Sequence, residues 1–130
     1  GCDIVTTNTF GATSLRFGPE LPAIIRVGVR LAKKATQEAG HGWVAFDMGP
    51  TGKLLAPYGE LSFEEAVSAY REAARLGAEA GADCIIIETI GDPYEMKAAV
   101  PPMRRASCSP AARWRPWRCC WTVCASRRWA

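Results

Sequence analysis

No stretch of this 130-residue chain approaches the roughly 18–20 consecutive apolar residues that cross a bilayer, which excludes a transmembrane helix. The opening Gly1-Cys2-Asp3 carries no basic leader and no apolar core segment, so no secretory signal is expected. The first 100 residues hold only two cysteines, Cys2 and Cys84. That is too few for a disulfide scaffold and points to a reduced, cytoplasmic setting. A different scarcity marks the far end. Residues 101–130 contain no Asp, Glu, Lys, Gly, Leu or Ile. The overall formal charge of +3 therefore describes neither part. Residues 1–100 carry nine Lys and Arg against thirteen Asp and Glu, a net −4, and residues 101–130 carry seven Arg, a net +7.

What is present in the first 100 residues is a repeat. Cys84-Ile85-Ile86-Ile87 is an unbroken apolar run that stops at the carboxylate of Glu88. Such a run reads as a strand buried on both faces of a parallel sheet. A carboxylate at its C-terminal end lies where open α/β sheets and α/β barrels place their chemistry. Asp3–Thr7 and Trp43–Asp47 repeat the design at a spacing of 40 residues, which makes Asn8, Met48 and Glu88 equivalent positions.

Helices are expected between the strands. Leu21, Ile24, Ile25, Gly28, Leu31, Ala32 and Ala35 form one apolar stripe on a helix of roughly residues 20–39, stopped by Gly40. Ser62 and Glu65 have capping-box spacing. The helix they open turns Phe63, Ala66, Val67, Tyr70, Ala74, Gly77 and Ala78 inward and ends at Gly81. A third helix starts with Asp92 as N-cap, Pro93 at N1 and Glu95 at N3. It should run about a dozen residues and meet Pro101-Pro102, which disfavour helical continuation.

Strand–helix units without a glycine fingerprint after the first strand favour a (β/α)8 barrel over a doubly wound sheet. A whole barrel needs about 250 residues. The expected fold class is therefore α/β, a partial (β/α)8 TIM barrel or else a much smaller sheet.

The loops at the strand ends carry a resemblance. Thr7-Asn8-Thr9-Phe10-Gly11-Ala12, Met48-Gly49-Pro50-Thr51-Gly52, Gly59-Glu60-Leu61-Ser62-Phe63-Glu64-Glu65-Ala66 and Gly81-Ala82-Asp83-Cys84-Ile85-Ile86-Ile87-Glu88-Thr89-Ile90 stand in order. Together they resemble the homocysteine S-methyltransferase family, in particular the homocysteine-binding barrel module of the cobalamin-dependent methionine synthase type. The resemblance covers residues 1–100 and implies barrel strands two to four. It implies methyl transfer to the sulfur of homocysteine, giving methionine, with methylcobalamin as donor on a separate module. Further corrinoid or methyltetrahydrofolate modules are the implied partners. It also implies zinc, which converts a bound thiol to the nucleophilic thiolate. The family's zinc-holding cysteines come from strands six and eight, so no metal ligand and no catalytic residue is expected in this part. By the same resemblance Glu88 binds the amino group of homocysteine by a charge-assisted hydrogen bond. Asn8, Thr9, Gly49 and Thr89 shape the same mouth as substrate-binding residues.

Each residue has a plainer reading. Glu88 would otherwise form a structural salt bridge with a neighbouring loop, and Asn8 would stabilise its loop as an Asx turn. Asp47 belongs to the site or only caps the loop after its strand. The Gly49–Gly52 loop lacks the Lys of a P-loop and reads as a tight turn rather than a phosphate cradle. His41, between Gly40 and Gly42, lies at the face away from the chemistry. Cys84 reads as a small core residue.

Residues 101–130 stand apart. Cys119-Cys120 could be taken for the family's zinc pair, but Trp117-Arg118 precede it where a glycine turn is expected. Seven Arg interleaved with four Trp could form a nucleic-acid surface. The reading adopted is a frameshifted, disordered tail, because composition and periodicity change within one residue. DNA read in the other frame after codon 100 should then continue the helix and supply a further strand. Stop codons or no apolar strand in that frame would overturn the idea. The alternatives from other classes are a pterin-binding methyltransferase barrel, with contacts near Gly49–Gly52, and a small α/β module with a basic Arg/Trp tail. Homocysteine is the expected ligand, with neither membrane nor nucleic acid as the expected partner.

Overall fold

A computed structural model describes residues 2–106, with side chains described to Val100. Its element order is β1 (Ile4–Thr6), α1 (Ser14–Phe17), a 3-10 turn (Gly18–Glu20), α2 (Leu21–Ala39), β2 (Trp43–Met48), α3 (Phe63–Glu79), β3 (Cys84–Ile87) and α4 (Pro93–Ala106). The strands form a parallel sheet in the order β1-β2-β3. Of the segment 101–130 read as a frameshifted, disordered tail, residues 101–106 belong to α4, and residues 107–130, with Cys119-Cys120 and the Arg/Trp pattern, lie outside the described residues.

Local sequence explains most of these bounds. α3 opens at a complete capping box. The Glu65 amide donates to Ser62 Oγ (3.2 Å), and the Ser62 amide donates to Glu65 Oε2 (3.0 Å). Asp92 caps α4, its Oδ1 accepting from the Tyr94 amide at 2.8 Å. α2 ends at Gly40, which is left-handed.

Several expectations are corrected. Residues 14–20, for which the sequence pattern gave no element, form a short helix and a 3-10 turn. In α2, Leu31 is 60 % exposed, whereas Val29 and Thr36 are buried. The stripe that packs is 21, 25, 28, 29, 32, 36, which holds one face over four turns; Leu31 falls on its flank. In α3, Phe63 is exposed, and Ala69, Ala73 and Leu76 join the buried side. α4 continues helically through Pro101-Pro102 to Ala106. Prolines remove donors and bend a helix without necessarily ending it.

The sheet has two unlike faces. Val44, Phe46 and Met48 of β2 belong to one buried cluster with Leu21, Ile25 and Val29 of α2, Ala66, Tyr70, Ala73 and Ala74 of α3, and Ala98 and Ala99 of α4. Their register partners Val5, Ile85 and Ile87 pack against the same cluster. Side chains alternate along a strand. Thr6, Ala45, Asp47, Cys84 and Ile86 therefore take the opposite face. The helices thus cover one face of the sheet. This corrects the reading of Cys84–Ile87 as buried on both sides, because all four of its residues are only half-buried.

Gly77 permits α3 to lie close on β2. A Cβ there would come within 2.7 Å of the Phe46 ring. At the N-terminal end of the sheet, Asp83 ties three elements together. Its carboxylate accepts from the Val44 amide (2.8 Å) and pairs with Lys33 of α2 (3.2 Å).

Candidate functional site at the strand ends

The register decides which side chains gather here. Thr6 pairs with Ala45 and Ala45 with Cys84, an offset of 39 rather than the 40 of the sequence repeat. A shift of one residue moves a side chain to the other face. Met48 and Glu88 are consequently not equivalent: Met48 faces the helices, opposite its partner Ile87. The residue that shares the face of Glu88 is Asp47, whose register partner is Ile86. The ladder continues past β3, since the Glu88 amide donates to the Met48 carbonyl at 3.1 Å.

Asp47 is 8 % exposed, and its Oδ1 has no hydrogen-bond partner among the described residues. Burial, reinforced by the neighbouring Glu88 carboxylate, pushes the Asp47 carboxyl up to about 6. Its backbone is firmly held. The Asp47 amide donates to Thr7 Oγ1 (3.0 Å), and Thr9 Oγ1 donates to the Asp47 carbonyl (2.9 Å). Each hydroxyl has a single proton, so in the 2.6 Å contact between them Thr7 is the donor.

Glu88 itself is half-buried, and Thr89 after it is exposed. Thr89 has φ 60°, and it is the non-glycine residue with positive φ among the described residues. A β-branched residue in this region is strained, and strain of this kind collects at functional sites. Asn8 is exposed, on the loop beyond β1. Thr9 is 2 % exposed with its hydroxyl turned to Asp47. Gly49 is buried, and a Cβ on it would come within 2.6 Å of the Phe10 ring, which would have to shift to make room.

A second carboxylate was hidden from sequence reasoning in its true role. Glu95, read as a helix-start residue, is 5 % exposed. Its Oε1 accepts from the Thr51 amide (2.7 Å) and the Thr51 hydroxyl (2.6 Å), and lies 2.9 Å from the Tyr70 hydroxyl. The same hydroxyl lies 3.2 Å from the Gly49 carbonyl. Burial and the Glu95 carboxylate push the Tyr70 hydroxyl well above its ordinary range. This network pins the Gly49–Gly52 loop from behind. It also commits the Thr51 amide to a carboxylate, which disfavours a phosphate there. No local sequence signal could have found this role, because the partners of Glu95 lie on other elements, 44 and 25 positions away.

Among the described residues no group of three or more His, Cys, Asp and Glu is arranged to hold a metal ion. Cys2 and Cys84 are not joined in a disulfide, and Cys84 Sγ lies 3.9 Å from the Val44 carbonyl. His41 is exposed and contacts the Ala39 carbonyl (3.0 Å). No described helix is long and apolar enough to cross a membrane.

Comparison with known families matches residues 1–125 to the one described as homocysteine S-methyltransferase. The chain belongs to the homocysteine S-methyltransferase family. The matched stretch runs beyond residue 100, into the Arg-rich segment. The chain is 34 % identical over 115 residues to a methionine synthase from Mycobacterium tuberculosis, covering 82 % of this chain. It is 33 % identical over 115 residues to a methionine synthase from Mycobacterium leprae, again covering 82 % of this chain. It spans only 10 % of the length of each of these relatives.

Proposed function

We propose that residues 1–100 form the amino-acid-binding wall of a homocysteine S-methyltransferase barrel of the methionine synthase type. The observation that carries this reading is the Glu88 carboxylate at the end of β3, on the face that the helices leave uncovered. In a doubly wound sheet helices pack on both faces. In a (β/α)8 barrel they ring the outside, and chemistry sits at the C-terminal ends of the strands. The one-sided packing here and the position of Glu88 fit barrel strands two to four.

In this reading Glu88 accepts a charge-assisted hydrogen bond from the α-ammonium of homocysteine. Asn8, Gly49 and Thr89 line the mouth, and Thr9 contributes by holding Asp47. The thiol must reach its thiolate form to attack a methyl group, and zinc supplies that activation in the family. The described residues do not fit a zinc site, so its ligands belong outside them. The same holds for a methyl donor such as methylcobalamin. The pterin-binding alternative loses ground because the Gly49–Gly52 loop is closed by Glu95. A reducing, cytoplasmic compartment suits a thiol substrate.

Chemical-shift titration of the full chain tests the proposal. L-homocysteine should perturb the amides of Glu88 and Thr89, and its desamino analogue 4-mercaptobutyrate should not. Equal responses to both ligands, or loss of neither in Glu88→Gln, would overturn it.

A further inference from the structure

Two carboxylates share the face of the sheet that the helices leave uncovered, and one of them carries a buried oxygen without a partner among the described residues. Asp47 is more than nine-tenths buried, yet its Oδ1 meets no donor among the described residues. A buried polar atom without a partner has lost its water and gained nothing in return, so such atoms call for an explanation. Its main chain is not free to relieve this, because Thr7 and Thr9 fix the amide and the carbonyl on either side. The threonine pair therefore holds an unsatisfied acceptor in place.

We propose that Asp47 is a second anchor for the α-ammonium of the amino-acid substrate, working as a pair with Glu88. This rests on the reading of Glu88 given above and extends it to a residue on the neighbouring strand. An ammonium group has three protons and no acceptor, so it can donate to both carboxylates at once. It also relieves their mutual repulsion, which two neighbouring carboxylates otherwise settle by retaining a proton.

The charged surroundings leave room for this role. Lys33 of α2 is paired with Asp83 at the opposite end of the strands. Arg75 of α3 is paired with Glu79, and Lys34 with Glu38. Glu95 of α4 is engaged by Thr51 and Tyr70. Among the described residues, Glu88 is the charged group that shapes the ionisation of Asp47.

The test compares the full wild-type chain with Asp47→Asn and Glu88→Gln. Each is titrated with L-homocysteine and 4-mercaptobutyrate under reducing conditions between pH 5 and 7.5. Homocysteine keeps its ammonium charge throughout, so a change in affinity reports the protein. Wild-type affinity should fall as pH drops through about 6, where Asp47 takes up a proton. Asp47→Asn should bind homocysteine about tenfold more weakly at pH 7.5, as expected for one charge-assisted hydrogen bond. It should also lose the step near pH 6. Unchanged affinity and an unchanged pH profile in Asp47→Asn, with loss in Glu88→Gln, would overturn the role of Asp47 and leave that of Glu88 standing. Equal binding of the desamino compound, or no binding of either, would overturn both. Should Asp47→Asn fail to fold, the carbon-13 titration of the Asp47 carboxyl in wild type decides. Bound homocysteine must lower its midpoint, and an unmoved midpoint in the saturated chain refutes the pairing.

Discussion

Asp47 illustrates what burial does to one side chain. Its carboxyl is pushed up to about 6 by desolvation and by Glu88, from an ordinary value of 3.8. The folded chain therefore holds a proton that the unfolded chain has released. Stability falls as pH rises from about 4 through about 6, and the contribution is fully lost above that. Asp47→Asn cannot ionise, so its stability relative to wild type should climb across that window and then stay level. Urea unfolding at pH 4, 5, 6 and 7.5 checks this; a difference independent of pH would contradict it. Thr89 makes a second residue-scale case. At φ 60° a β-branched residue is strained, and asparagine tolerates this region far better. Thr89→Asn should stabilise the chain by about 1 kcal/mol. An unchanged or lower urea midpoint would show that the backbone is not strained there.

Elements depend on their ends and on the ties between them. Ser62→Ala removes the cap of α3 and should cost about 1 kcal/mol, read as a lower melting temperature. Glu95→Ala acts across elements, because Glu95 on α4 satisfies Thr51 of the loop and Tyr70 of α3. Removing it strands the buried Thr51 amide and leaves the Tyr70 hydroxyl only the longer contact to the Gly49 carbonyl, which together should cost about 3 kcal/mol. Glu95→Gln retains an acceptor and should cost less; equal losses would mean that packing rather than hydrogen bonding holds the loop. Sequence legibility follows the same division. The Ser62–Glu65 box and the Asp92 cap were readable because their partners lie within three residues. Glu95 was readable only as a helix-start acid, since its partners stand 44 and 25 positions away. Leu31 was misplaced because an apolar side chain on the flank of a stripe looks like one at its centre.

At the scale of the whole molecule, the described sheet has one strand paired on both sides and two paired on one side. Hydrogen exchange should find the amides of Val44 to Asp47 the most protected. Val5 on the three-residue β1 should exchange sooner. Uniform protection would mean that β1 gains support from beyond the described residues.

The sequence by itself determined the alternation of strand and helix, the caps, the carboxylate at the end of β3 and the family motifs. All of these depend on neighbours close along the chain. Only the tertiary structure decided the register of 39, the face of the sheet that the helices leave uncovered and the placement of Asp47 on the face of Glu88. The reason is geometric. A repeat of 40 residues says where strands recur, but the face that a side chain takes is fixed by hydrogen bonding between strands. One residue of stagger exchanges Met48 for Asp47 on the face that carries the Glu88 carboxylate.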